Sequence, residues 1–446
     1  MYYTKKNAMC KNRISIYLWL LIFICFNSLH IKIYAQNSSV DTLIIGVKEI
    51  EELFLKNNLS LIAEHFEIEK AEAAIIQAKL WPNPEIGIDE VQLFTPKDTD
   101  EIPGLWTSNF WKNRTFSLEV EQSIPINGER KHQVAFQKLE KENKELKFKK
   151  VLLELKKELH ILIAEWNYNY LLYQDIQMHL NKITALKSRQ YLQYKSGEIS
   201  KVEYFRIEAL YHTVLKEAKD IKVNLISLEN DLKEILVIPF TTPIKLKDEK
   251  KWLYEANQFE LLDLDSYYKN TNQESIHFLQ LEKQYSLHKQ QIKIEESRGR
   301  IPDLKLKGMY DRGSGTHINF FGLGLALDLP VFDRNQGNRK IAYWELEKHK
   351  VLQKQFYIEW EKDITNVYSK LIENKNLLDT IYHSGVQEVE ELMQSLHENL
   401  NLKHISLIEF LDYFEAFKDS KENYYSLLLE IYTDYQNLKY LISQEN

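Results

Sequence analysis

Two rhythms of hydrophobic and polar positions run along this chain. Over Thr115–Glu121 apolar and polar residues alternate one to one, and over Phe321–Leu329 large apolar residues alternate with small or polar ones. That is the period of a β-strand with two unlike faces. In the second run Phe321, Leu323, Leu325, Leu327 and Leu329 alternate with Gly322, Gly324, Ala326 and Asp328. Over Ile207–Ile235 the apolar positions recur about every 3.5 residues, the spacing of a coiled coil rather than of a straight helix.

These rhythms predict the elements in order. A helix over 47–81 ends at Trp81-Pro82-Asn83-Pro84, as helices end before proline. Strands follow over 85–93 and 114–124, with a loop Thr95–Asn113 between them. Gly128 opens a helix of about 67 residues, about 100 Å long at 1.5 Å per residue. Ser196-Gly197-Glu198 breaks it, and Ser200, with Glu203 in the capping-box position, starts a return helix to Leu236. After a linker at 239–261 come a helix over 262–298 and strands over 303–311 and 318–329. The turn signal Asp311–Thr316 joins those strands. A long helix follows over 337–400, then a break at Asn401–His404 and a last helix over 406–443.

The second half repeats the first. Pro84-Glu85-Ile86-Gly87-Ile88 returns as Pro302-Asp303-Leu304-Lys305-Leu306. Ser123-Ile124-Pro125-Ile126, with Gly128 and Arg130-Lys131 after it, returns as Asp328-Leu329-Pro330-Val331, with Gly337 and Arg339-Lys340. Ile199–Phe205 returns as Ile405–Leu411. Each unit reads helix, strand, strand, helix, turn, helix. In each, the two shorter helices together match the long one, so stacked end to end they would make an even cylinder about 100 Å tall.

All nine prolines lie at 82, 84, 96, 103, 125, 239, 243, 302 and 330, which leaves the long helices uninterrupted. Lys5, Lys6, Lys11 and Arg13 precede the apolar run Ile14–Leu29, and Tyr34-Ala35-Gln36 could end it. Residues 1–35 therefore read as a secretory signal peptide. Both cysteines, Cys10 and Cys25, lie inside it, so the mature chain has no thiol for a disulfide or a metal. Its removal takes the formal charge from −7 to −12, because five basic residues leave and no acidic ones. An acidic exported chain is a poor binder of nucleic acid. No later apolar run is long enough for a transmembrane helix.

Four strands facing lipid would leave two open edges, which a bilayer does not tolerate. Either they form a small soluble sheet, or several chains pool strands into one barrel. Trp81, Phe94, Trp106, Trp111, Tyr310 and Phe332 sit near strand ends, where an aromatic girdle would lie.

The duplicated strand entries, strand exits and hairpin tips together resemble the outer-membrane factor family, the TolC-like channel-tunnels, including the outer-membrane components of heavy-metal efflux systems. The resemblance covers nearly the whole mature chain. It implies a mainly α fold with a small β part. Long coiled-coil hairpins are duplicated in tandem as repeats 36–238 and 262–446, joined by an equatorial linker at 239–261. It implies a homotrimer whose chains each give four strands to a 12-stranded barrel in the outer membrane, with the helices forming a periplasmic tunnel. It implies a passive duct without enzymatic activity or cofactor. Its partners would be a periplasmic adaptor and an inner-membrane transporter. The adaptor would meet the hairpin tips at Ser196, Gly197, Ser200, Lys403, His404 and Ser406. Glu409 and Asp412, three residues apart on one helical face, match the acidic residues that close the family's periplasmic end. The equivalent of Asp412 in the first repeat is Arg206, which would partly neutralise such a ring.

Histidines are scattered. His397 and His404 straddle the second tip beside Glu398, where exposed tip histidines and a metal site would look alike, and the reading is no metal. His277 and His288 are too far apart on one helix for one ligand set. There is no Gly-x-Ser-x-Gly elbow, phosphate-binding loop or His-Glu-x-x-His. Metal cations, drugs and secreted proteins all remain open as cargo. The rival is a secreted, soluble coiled-coil interaction protein without a pore. It does not account for strand pairs that interrupt the helices at equivalent points of both repeats.

Overall fold

The computed structural model describes residues 42–91, 93, 115–247, 250–313, 319–383, 392, 395, 396, 398–400, 402 and 404–443. The signal segment 1–35, Phe94, Trp106, Trp111, His397 and Lys403 lie outside them. The elements are β1 (Leu43–Ile45), α1 (Val47–Asn57), α2 (Leu59–Lys79), β2 (Glu85–Asp89), β3 (Phe116–Ile124), α3 (Glu129–Ser196) and α4 (Lys201–Leu236). Then come β4 (Ile244–Leu246), α5 (Lys251–Gln258), α6 (Leu264–Glu274), α7 (Ile276–Arg298), β5 (Leu304–Arg312), β6 (Asn319–Leu327), α8 (Gln336–His383) and α9 (Leu407–Leu441). Contacts divide the chain into a small unit, Met1–Leu43 with Thr241–Lys245, and a large one holding the rest. In the small unit Leu43 N–H donates to Pro243 O at 2.8 Å.

The mainly α fold, the tandem order of elements and the four strands are as the sequence predicts. The first helix is not continuous. Asn58 has an extended backbone (φ −61°, ψ 118°), and its side chain accepts from the N–H groups of Ser60 and Leu61, so it N-caps α2. Its Nδ2 donates to Ile235 O at 3.3 Å, fixing the break against the end of α4. Ser275, also extended, interrupts the second repeat at the matching place between α6 and α7. The linker 239–261 is built rather than loose. It carries β4 and α5, and Trp252, Ala256 and Phe259 from it are buried in a cluster with Leu428, Ile431 and Tyr432 of α9.

In the large unit α2 and α7 both pack on α3, and α8 and α9 pack on each other. A ladder of ion pairs joins α3 to α2: Lys141–Glu72 at 3.0 Å, Lys144–Glu67 at 3.3 Å and Lys147–Glu64 at 2.7 Å. These partly exposed pairs set register more than stability. The α8 core stripe is Trp360, Ile364, Leu371 and Leu378, all buried. The Trp360 indole donates to Leu441 O at 3.0 Å.

Strands β2, β3, β5 and β6 form one antiparallel sheet in the order β2-β3-β5-β6, so the two repeats meet at the β3–β5 pairing, while β1 pairs with β4 in a separate sheet. Where helices meet the sheet, α7 ends at Gly299, and a Cβ there would stand 2.2 Å from the Arg334 carbonyl oxygen. The approach is held by Asn335, whose Nδ2 donates to Glu295 O at 2.9 Å and Glu295 Oε2 at 2.7 Å. Arg298 adds ion pairs to Glu129 at 2.6 Å and Glu295 at 3.1 Å. Gly299→Ala must push backbone apart here and should cost about 1–3 kcal/mol. Thermal denaturation of the variant against wild type measures that loss.

Candidate functional site

The register of the sheet sorts its side chains into two opposed faces. One is apolar across all four strands: Ile86 and Ile88, then Leu118 and Val120, then Leu304 and Leu306, then Leu323 and Leu325. It is open to the outside, with Leu323 97 % exposed and Leu325 72 % exposed. The opposite face carries Glu85, Asp89, Glu119, Glu121, Lys305, Lys307 and Asp311. A soluble sheet of this size buries its apolar face against helices. Here the apolar face is bare and the charged one is organised. Lys307 Nζ donates to Glu119 Oε1 at 2.5 Å and lies 2.7 Å from Glu121 Oε2. Lys305 Nζ lies 3.7 Å from Glu121 and 3.4 Å from Asp328. Alternation alone placed Glu119 and Glu121 on one face. Their lysine partners come from the other repeat, so only the pairing register reveals them.

Both ends of the apolar face carry aromatic rings. At the end where β2 begins, Trp81 is 55 % exposed, with the Arg130 guanidinium 4.6 Å above its ring. Phe332, just past β6, is 92 % exposed. At the other end Tyr310 packs between Phe116 at 6.1 Å and Phe321 at 4.8 Å, and its hydroxyl donates to Asn319 at 3.0 Å. Both sheet edges, β2 and β6, have no neighbouring strand among the described residues.

The hairpin tips are the second region. Gly197 sits in the left-handed region (φ 78°), and Glu198 N–H closes back on Gln193 O at 2.9 Å, so α3 stops with a glycine cap. Ser196, Gly197 and Ser200 are exposed, as are His404 and Ser406. Ser200 caps α4 in a box with Glu203, and Ser406 caps α9 in the same box with Glu409. The Glu409 carboxylate accepts from Ser406 N–H at 2.8 Å and from its hydroxyl at 2.8 Å. In this protomer it therefore stabilises the start of α9, as Glu203 does for α4. Asp412 is exposed one turn on. The opposite side of this turn is the anchor. Phe410 and Phe414 are fully buried and stacked at 5.9 Å, and His179 of α3 meets Phe414 edge-on at 5.3 Å. Lys418–Glu217 at 2.9 Å and Lys421–Asp175 at 2.8 Å tie α9 to α4 and α3.

Hydrogen bonds to Ser406 hold the Glu409 carboxyl below its ordinary value of 4.5. Its contribution to the tip is thus present above pH 4.5 and is lost as pH falls through the lower folded value. Amide protection at the start of α9 should fall in that acid window, and Ser406→Ala should cost about 1 kcal/mol at neutral pH. Hydrogen exchange resolved by residue reads both effects.

Among the described residues no group of three or more His, Cys, Asp or Glu is placed to hold a metal ion. His404 Nδ1 lies 3.3 Å from Asn399 Oδ1, and His277 is a buried core residue against Tyr440 at 4.9 Å. No helix among the described residues is long and apolar enough to cross a membrane, which leaves the strands to be judged separately.

No protein-family model and no curated protein matches the chain. Solved structures do match. The chain is similar to CusC, a protein studied for folding and transmembrane channel formation, at 13 % identity and TM-score 0.68, covering 92 % of this chain and 95 % of that one. It is similar to the outer membrane protein VceC of Vibrio cholerae at 13 % identity and TM-score 0.64, covering 89 % and 95 %. It is similar to the CmeC outer membrane channel of Campylobacter jejuni at 12 % identity and TM-score 0.66, covering 90 % and 87 %. The fold is therefore that of the TolC-like outer-membrane channels.

Proposed function

We infer that this chain is one protomer of a trimeric channel that sits in the outer membrane and extends into the periplasm as a helical duct. The observation that carries the reading is the sheet. Its apolar face is bare, its charged face is organised and both edges lack a neighbouring strand among the described residues. In a bilayer such a sheet has to close. Three copies of four strands make a barrel of twelve, apolar outside and polar within. Two exposed heptad stripes supply a matching seam between helices. On α2 they are Leu59, Ile62, Phe66 and Ile76, and on α8 Ile341, Trp344, Val351 and Ile358. These helices lie on either side of the α3–α7 pair, so one copy's α8 can meet the next copy's α2.

The duct is passive. A periplasmic adaptor, coupled to an inner-membrane transporter, meets the tips at Ser196, Gly197, Ser200, Lys403, His404 and Ser406. Exposed apolar side chains there, Leu192, Val202, Leu402 and Ile408, give it a surface to grip. Asp412 contributes the acidic ring of the periplasmic end, and Glu409 joins it only when its cap on Ser406 opens. Trp81, Tyr310 and Phe332 form the membrane girdle among the described residues.

Extraction and sizing test the assembly. The mature protein should require detergent and run as a trimer. Phe66→Glu with Val351→Glu should give monomers, since both charges would be buried in the seam. Monomeric wild type, soluble without detergent, contradicts the reading.

A further inference from the structure

The charged face of the sheet is uneven, and the unevenness has a direction. Reading across the register, Glu85, Glu121, Lys307 and Gly324 stand side by side on the four strands. The next polar row holds Gly87, Glu119, Met309 and Gly322. In these two rows the first repeat thus supplies the carboxylates and the second supplies Lys307, Met309 and two glycines. Lys307 reaches both Glu119 and Glu121, one from each row.

We propose that this mixed row is a charge filter in the barrel wall, with Lys307 holding it short of full cation selectivity. The proposal rests on the reading of the sheet as a barrel, and adds to it the class of solute favoured, small cations over anions. In a trimer one row brings six carboxylates and three lysines to one height. The carboxylates exceed the lysines, so the bore is negative there, and each lysine cancels part of that field. Gly324 leaves the wall low beside Lys307, while the Phe320 ring and the Met309 side chain cover the backbone at Gly322, so solutes approach these charges from the Gly324 side. Such a field acts over about 10 Å at 0.1 M salt and about 3 Å at 1 M.

The test is the reversal potential of purified trimers in a planar bilayer under a KCl gradient. Lys307→Gln frees Glu119, leaves Glu121 only the longer Lys305 contact at 3.7 Å, and should raise the potassium-to-chloride permeability ratio by about twofold or more at low salt. Glu119→Gln with Glu121→Gln should lower the ratio by a similar factor. Both shifts should shrink in 1 M salt. Opposite shifts matter, because a general disturbance of the barrel would move both variants the same way. Wild-type currents whose ratio is unchanged in both variants, or shifted alike in both, overturn the filter and leave the channel standing. Wild-type protein that passes no current overturns the channel and the filter together.

Discussion

Leu323→Arg should remove the protein from the outer membrane. Leu323 is the fifth of nine residues in β6 and is 97 % exposed on the apolar face. On a water-facing surface this exchange would be neutral or would improve solubility. At the middle of a lipid-facing strand an arginine costs about 2–4 kcal/mol. Three copies in one barrel bring that to about 6–12 kcal/mol, comparable with the whole stability of a typical domain. Leu323→Met keeps the surface apolar and should behave as wild type. The measurement is the amount of detergent-extracted trimer in the outer-membrane fraction. Normal levels of the arginine variant there would place this face away from lipid. The same substitution separates the channel from a soluble coiled-coil protein, which would tolerate it.

The second large effect belongs to the tip. Phe410→Ala and Phe414→Ala should each cost about 3–5 kcal/mol, since both side chains are fully buried and leave cavities. They are in contact with each other, so the double variant will not simply add. The loss should also stay local. The far half of α9 has its own anchors, Ile431, Tyr432 and Leu438, in a separate buried cluster. Hydrogen exchange should therefore speed up over the first turns of α9 and stay slow beyond Leu428. The freed turns carry Asp412, so the variant should also conduct more in a bilayer. Uniform exchange along α9 would mean that the two clusters unfold as one unit.

Much of this was legible because the residues that set it are local. Pro82 and Pro84 stop a helix, Gly128 and Gly197 bracket α3, and strict alternation marks β3 and β6. The helix breaks at Asn58 and Ser275 were not legible. An asparagine or serine in a helix costs only tenths of a kcal/mol by propensity. What decides Asn58 is a partner, Ile235 O, 177 residues away. The packing of the linker was not legible for the same reason. Pro239 and Pro243 mark a connection, while the burial of Trp252 and Phe259 depends on α9, which follows far later in the chain. The tip carboxylates divide along the same line. Ser406-x-x-Glu409 is a local capping box and reads as one. Whether Asp412 lines a bore depends on copies of the chain that no single sequence displays.

The proposed channel requires copies of this chain to close their strands into one conducting barrel. Planar-bilayer recording of the purified, detergent-extracted wild type tests it most directly. Inserted trimers should give discrete current steps that prefer cations and are altered by Asp412→Ala. Protein that stays soluble without detergent and never inserts would contradict it.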